Sequence, residues 1–298
     1  MNVFVTGASG FIGSAVVREL IAAGHQVTGL ARSDQSAEAL GALGASVRRG
    51  SLEDLASLRD GAAAADAVLH CAFVHNFDNY TAAAEADRQA IETMGAALSG
   101  SDRPLIVSSG TGNAVPGQPM TENDRIDPAK AGVPRLSEVT ALKLADQGLR
   151  ASVMCFPPTV HGEGDWHGFI PRLIQIAREK GVAGYPGDGS NRWPAVHRLD
   201  AARLCRLALE SAPGGIRIHA VGDEGVPTRQ IAEVIGRQLN IPVESVPLGE
   251  LTGHFGWMGP IFAADLPASS ALTQARFSWH PEQPGLLADL EQGHYFAQ

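Results

Sequence analysis

The first thirty residues restrict the fold more than any other stretch. Val3, Phe4 and Val5 form a short β-branched and aromatic run, and glycines follow in the order Thr6-Gly7-Ala8-Ser9-Gly10-Phe11-Ile12-Gly13. Ile12, Val16, Leu20 and Ala23 then recur at helical spacing, and Gly24 supplies a stop. Strand, glycine-rich turn and helix in that order predict a phosphate-binding turn at the start of a βαβ unit. Gly7 permits the tight turn, Gly10 lets the backbone approach a diphosphate, and Gly13 lets the helix lie close on the sheet. The helix N-terminus adds unpaired N–H groups and a positive dipole end. The expected diphosphate contacts are Gly7, Ser9, Gly10, Phe11, Ile12 and Gly13.

The rest of the chain sets the class. Its 298 residues allow one large or two modest domains, and 44% hydrophobic with 18% charged residues is the composition of a globular protein. A formal net charge of −9 argues against nucleic acid or an anionic membrane as partner. No apolar run is long enough to span a bilayer, and the first residues read as a strand and not as a signal peptide. Cys71, Cys155 and Cys205 are odd in number and sit in apolar runs, so they read as buried thiols and no metal site is expected. These features together predict a cytoplasmic protein with a small-molecule substrate.

The Gly-x-x-Gly-x-x-Gly spacing resembles the short-chain dehydrogenase/reductase superfamily, and Thr-Gly-Ala-Ser-Gly-Phe-Ile-Gly resembles its extended branch of sugar-nucleotide epimerases and dehydratases. That resemblance implies an α/β fold, a doubly wound parallel Rossmann sheet with a small C-terminal substrate-binding part. Residues 1–157 would be the dinucleotide-binding domain, with 196–221 returning to it; 158–195 and 222–298 would form the smaller part. Extended members are often dimers through two helices, here residues 82–98 and 133–147, which makes a homodimer an expectation by analogy.

The second strand, residues 25–30, leads into Ala31-Arg32-Ser33. In such folds an acid here bonds the ribose 2′-hydroxyl of NAD, whereas a basic residue accommodates the 2′-phosphate of NADP. Arg32 and Ser33 favour NADP (NADPH) over NAD; the competing reading has Asp34 on the ribose and Arg32 solvated. By the resemblance, Asp54 bonds the adenine amino group, and it also suits the cap of the next helix. The resemblance also implies that the exit of the fourth strand, 67–70, where Ala72 lies, passes close to the diphosphate and ribose, and His70 reads as completing the strand. His75 and Tyr80, in a polar and aromatic segment at the carboxyl end of the sheet, are candidates to face a substrate. The fifth strand, 104–107, ends in Ser108-Ser109-Gly110-Thr111. The resemblance implies that Ser109 bonds the substrate oxygen, with Thr111 beside it.

The superfamily's proton donor is a Tyr with a Lys four residues later, and that pair is absent. Position 84 is Ala, position 189 is Gly, and Tyr295 has no fourth successor. Aligning Ser137-Glu138 with the usual Ala-Glu puts Lys130 at the Tyr position and Pro134 at the Lys position. Three explanations stay open: a different acid, an iminium substrate that already carries its proton, or dinucleotide binding without redox catalysis. After the sixth strand, 149–156, comes Pro157-Pro158-Thr159-Val160-His161-Gly162, which resembles a segment that packs beside the nicotinamide in extended members. Pro157 matches, and His161 replaces a Tyr, which makes it the leading substitute acid–base group. Arg192, in a segment resembling an epimerase diphosphate contact, and Trp257, in an apolar loop, complete the substrate candidates. Asp200 is expected to cap a helix over 201–210, and Trp279 to lie in the core. The expected function is NADP-dependent reduction of a small, fairly apolar carbonyl or imine. The alternatives are a non-catalytic NADP-sensing binding protein or a sugar-nucleotide epimerase or dehydratase.

Overall fold

The computed structural model describes residues 1–74, 79–112, 118–125 and 135–297. Strands and helices alternate through the first half: β1 (Asn2–Thr6), α1 (Phe11–Ala22), β2 (Gln26–Ala31), α2 (Asp34–Ala42), β3 (Ser46–Arg49), α3 (Leu55–Ala63), β4 (Ala67–His70), α4 (Tyr80–Leu98), β5 (Leu105–Gly110), α5 (Ser137–Asp146) and β6 (Ala151–Phe156). Then follow β7 (Thr159–His161), α6 (Phe169–Lys180), β8 (Ala183–Pro186), β9 (Arg192–His197), α7 (Arg198–Ser211), β10 (Arg217–His219), β11 (Asp223–Pro227), α8 (Thr228–Leu239) and β12 (Val243–Val246). Four short helices close the chain: α9 (Leu251–Phe255), α10 (Met258–Phe262), α11 (Ala271–Phe277) and α12 (Leu286–Glu291).

Seven strands make one parallel sheet in the order β10-β6-β5-β4-β1-β2-β3. The winding reverses between β1 and β4, so the doubly wound sheet has its crevice at the carboxyl ends of those two strands. Alternation along β1 feeds two cores. Val3 and Val5 pack with Val16 and Leu20 of α1 and with Leu204 and Ala208 of α7. Phe4 faces the other way, onto Leu58 of α3 and Ile91 of α4. A third core, with Trp193, Ile231, Phe255 and Phe262, belongs to the smaller part around the sheets β11-β9-β7 and β12-β8.

Two sequence expectations are revised here. Val196 and His197 do not lead back to the main sheet; they pair with Val160 and His161 in the three-stranded sheet, and β10 is the strand that joins the main sheet beside β6. Nor does Asp200 cap a helix. α7 begins at Arg198 with His197 as its cap, and the Asp200 carboxylate accepts from the backbone N–H groups of Glu282 and Gln283, each at 2.9 Å. Trp279 is fully buried in that junction and its indole donates to the Asp200 carbonyl at 3.1 Å. Trp279→Ala should therefore cost about 3–5 kcal/mol in urea unfolding, through the lost burial and a cavity between α7 and the tail.

β10 carries two buried charges-in-waiting. Arg217 pairs with Glu138 of α5 at 3.0 Å and donates to the carbonyls of Thr111, Thr121 and Asp124. His219 is fully buried, and burial, with repulsion from Arg217 second, pushes its pKa down to about 4. The unfolded chain, with an ordinary imidazole near 6.5, then binds the extra proton first as pH falls. Stability should drop between pH 6.5 and about 4. His219→Gln should flatten that part of a denaturant-midpoint-against-pH curve; an unchanged slope would mean His219 is not the group responsible.

Candidate functional site

The glycine turn has the shape a diphosphate requires. Gly7 has φ +67°, and a Cβ there would stand 2.7 Å from the Ala72 backbone nitrogen. A Cβ on Gly13 would stand 2.0 Å from the Gly7 carbonyl oxygen, so α1 leaves the sheet at a distance only glycine allows. Gly10 takes the N-cap position of α1 without a side-chain cap, and Ser9 and Gly10 are exposed. The first-turn N–H groups, with Phe11 and Ile12 half-buried behind them, thus lack side-chain acceptors and fit an anion. Arg198, not singled out in the sequence, lies over the Phe11 ring at 4.7 Å and donates to the Glu163 carbonyl at 2.7 Å. The segment after β7 is thereby held beside the turn.

At the end of β2, Arg32 is exposed and makes no ion pair or hydrogen bond among the described residues. Ser33 caps α2 by accepting from Ser36 N–H at 3.2 Å. Asp34, the rival ribose ligand, is paired with Arg49 at the end of β3. Arg49 is a second cation at this edge that the sequence reading passed over; the Ala31–Arg49 register of β2 and β3 brings it there. Asp54 is exposed and caps α3, accepting from Ser57 N–H at 3.1 Å.

Beneath the turn runs a buried polar chain. The Thr6 hydroxyl lies 2.7 Å from His70 Nδ1 and accepts from Ala72 N–H at 3.3 Å. His70 Nε2 lies 2.9 Å from Asp87 Oδ1, and the Ser137 hydroxyl donates to Asp87 Oδ2 at 2.5 Å. Arg135 Nε donates to Ser137 Oγ at 2.8 Å, and its Nη2 donates to the Ser108 carbonyl at 2.9 Å. Thr6, His70, Asp87 and Ser137 are all buried. Burial raises the Asp87 carboxyl, but the His70 hydrogen bond and charge, with Arg135 and Ser137, outweigh it and leave the pKa lowered. His70 therefore does more than complete a strand.

Arg135 emerges from this chain half-buried at the ends of β4 and β5, its guanidinium 4.2 Å from the Phe73 ring centre. Tyr80, the first residue of α4, packs against the same ring, with ring centres 5.6 Å apart and planes inclined by 49°. Burial raises the Tyr80 pKa, and the Arg135 charge opposes that rise. Ser109 and Thr111 are buried at the end of β5; Thr111 N–H donates to the Phe156 carbonyl, and Pro157 is buried just after β6. Cys71, under Ala72, is pushed up to about 11 by burial, and Cys155 to about 12. All three cysteines are free thiols.

The remaining candidates are dispersed. His161 is fully buried on β7, with Nδ1 2.8 Å from Asp289 Oδ2 and the His197 ring edge-on at 5.4 Å. It opens on no surface, because the end of the chain folds over it. Arg192 is already neutralised: Nε and Nη2 reach the two oxygens of Asp265 at 3.0 and 2.8 Å, which raises its pKa. Trp257 is 51% exposed and lies 6.2 Å, centre to centre, from the Phe169 ring. His75, like Lys130 and Pro134, lies outside the described residues.

The profile of the NAD dependent epimerase/dehydratase family matches residues 3–221. The chain belongs to that family. It is similar along its length to uncharacterised proteins of Schizosaccharomyces pombe (48% identical, covering 99% of this chain and all of that one) and Saccharomyces cerevisiae (44%, covering 99% of each). It is 26% identical to the 4-hydroxy-2-methyl-3-oxo-4-farnesyl-3,4-dihydroquinoline-1-oxide ketoreductase of Stigmatella aurantiaca, over 90% of this chain and 84% of that one. A solved structure of dTDP-glucose 4,6-dehydratase from Streptomyces venezuelae, with NAD bound, superposes with a TM-score of 0.77 over all of this chain and 97% of that one, at 19% identity. As a member of the NAD dependent epimerase/dehydratase family, the chain is an oxidoreductase-type protein built for a nicotinamide dinucleotide, and the cramped turn at Gly7 and Gly13 fits one. No helix among the described residues is long and apolar enough to cross a membrane.

Proposed function

We propose that this member of the epimerase/dehydratase family is an NADP-dependent reductase of a small, fairly apolar carbonyl or imine, acting in the cytoplasm. The observation that carries the cofactor choice is the end of β2. There Arg32 is exposed, Arg49 stands alongside, and Asp34, the rival ribose ligand, is held by Arg49. Two guanidinium groups suit a 2′-phosphate and leave the plain ribose of NAD without a carboxylate partner. The resemblance to a ketoreductase supports reduction. The first-turn N–H groups of α1 at Phe11 and Ile12 would hold the diphosphate, and the bound dinucleotide would supply the hydride chemistry at the crevice between β1 and β4.

Direct measurement separates the readings. NADPH consumption with a panel of ketones, aldehydes and cyclic imines is the expected result. Tight NADPH binding with no turnover would favour a sensor, and sugar-nucleotide conversion without net cofactor use would favour an epimerase. Arg32→Ala should weaken NADPH by about tenfold or more, the worth of one charge-assisted phosphate contact, while NADH binding stays nearly constant. Equal losses for the two cofactors would remove the NADP assignment. A homodimer through α4 and α5, where Val139 is 42% exposed, belongs to the same proposal and is checked by light scattering.

A further inference from the structure

We infer that this chain rebuilds the missing acid–cation couple from two helices, with Tyr80 as proton donor and Arg135 as the fixed cation beside it, and that its substrate is therefore a neutral carbonyl and not an iminium. The inference rests on the reductase reading and narrows it. Neither Tyr80 nor Tyr185 stands one helical turn before a lysine, yet Tyr80 at the start of α4 and Arg135 just before α5 both pack on Phe73, close enough for the Arg135 charge to act on the Tyr80 phenol. Phe73 directly follows Ala72, whose backbone is pressed against the glycine turn. The couple thus sits at the carboxyl ends of β4 and β5, the rim where open α/β sheets bind ligands.

Arg135 is a built group and not a surface side chain. Ser108 fixes one end of the guanidinium and Ser137 fixes Nε, while Asp87 balances the charge through Ser137 and not by direct contact. Among the described residues no carboxylate forms a direct salt bridge with Arg135, and Asp87 acts on it across Ser137. Asp87 and Ser137 are positioning residues: both are buried and reach the site through Arg135.

Reduction of a C=O group needs a hydride at carbon and a proton at oxygen. The dinucleotide supplies the hydride, and the C=O π pair moves onto oxygen. The Tyr80 hydroxyl gives that oxygen its proton, the phenolate left behind is stabilised by Arg135, and water restores it. A fixed cation lowers the energy of each of these negative charges. It repels an iminium, whose positive charge disappears on reduction and needs no such help.

The test uses the full chain. Tyr80→Phe and Arg135→Met should each lower kcat on acetophenone and ethyl 2-methylacetoacetate by about 10²-fold or more, and Ser137→Ala by about tenfold, with KM changed little. NADPH affinity, read by fluorescence titration, should stay the same, and added guanidinium chloride at millimolar level should restore part of the rate of Arg135→Ala. The wild type should reduce 2-methyl-1-pyrrolinium far more slowly than the ketones, and an equal or faster rate on the iminium would overturn the neutral-carbonyl assignment. A readout free of turnover is benzoate, an anionic stand-in for the developing oxyanion. Calorimetry should show benzoate binding to the wild type and at least about tenfold weaker binding to Arg135→Met, with Arg135→Lys between them as the conservative control. Undiminished ketone turnover in Arg135→Met or Tyr80→Phe overturns the couple. So does benzoate that ignores Arg135→Met or fails to bind the wild type. If the wild type takes up NADPH yet reduces no ketone, the reductase reading falls, and the benzoate comparison alone decides whether Arg135 is an anion site.

Discussion

Gly13→Val should abolish detectable dinucleotide binding. Even a single Cβ at Gly13 would lie 2.0 Å from the Gly7 carbonyl oxygen and 3.0 Å from Ala8 Cα, all of it backbone that cannot swing aside. α1 would have to move away from β1 by an ångström or more, which takes its first-turn N–H groups out of reach of a diphosphate. Gly10 N–H also donates to the Gly7 carbonyl at 3.0 Å, so the displaced oxygen breaks the turn itself. Overpacking of this kind costs about 1–3 kcal/mol in stability, which a well-buried three-core chain survives. The expected outcome is thus a folded protein, by circular dichroism and a urea melt, with NADPH affinity reduced by about 10²-fold or more, since each lost charge-assisted contact removes about tenfold. A Gly13→Val chain that binds NADPH normally would disprove the assignment of this turn.

The second large effect is expected at Arg217→Met. The side chain bridges Glu138 of α5, Thr111 after β5 and the segment at Thr121 and Asp124, and both members of the ion pair are nearly water-free. Removing the guanidinium takes the opposite charge away from a buried carboxylate and a donor away from several carbonyls, a change that costs about 3–5 kcal/mol. Replacing both members, Arg217→Met with Glu138→Leu, should recover a large share, because the penalty lies in the stranded charge and not in lost attraction. Chemical denaturation of the two single variants and the double variant closes the cycle. A double variant no more stable than Arg217→Met would refute this account. His219 neighbours this pair, so Arg217→Met should also lift its depressed pKa by removing a repelling charge.

The fold was legible where local periodicity and geometry coincide. Val3, Phe4 and Val5 alternate faces, and Gly7 and Gly13 have one steric solution between them, so the βαβ start and the doubly wound sheet follow from adjacent residues. The glycine pattern was enough to identify the family. The candidate site was less legible because its parts are distant in sequence. Arg135 carries no motif; only the folded chain brings it to Ser108 and Phe73, and only the folded chain joins His70 to Asp87. The same non-locality hid the partners that occupy Arg192 and His161, since Asp265 and Asp289 come from the tail. Arg49 was overlooked for a different reason: a charged residue at the end of a short strand reads as solvated, and the β2–β3 register is what aligns it with Ala31. The β9 error has a physical basis too, since Val196 is apolar enough for either sheet and the pairing with Val160 decides.

β3 lies at the open margin of the seven-stranded sheet, and its exposed Val47 is followed at once by Arg48 and Arg49. A margin of unpaired backbone invites a neighbouring chain to add a strand, and positive side chains on it discourage that. Arg49, proposed here to greet a 2′-phosphate, would thus also help keep molecules apart. Any redesign toward NADH that simply neutralises Arg49 would trade cofactor preference for self-association; placing an acid at Ala31 while leaving β3 charged avoids the conflict.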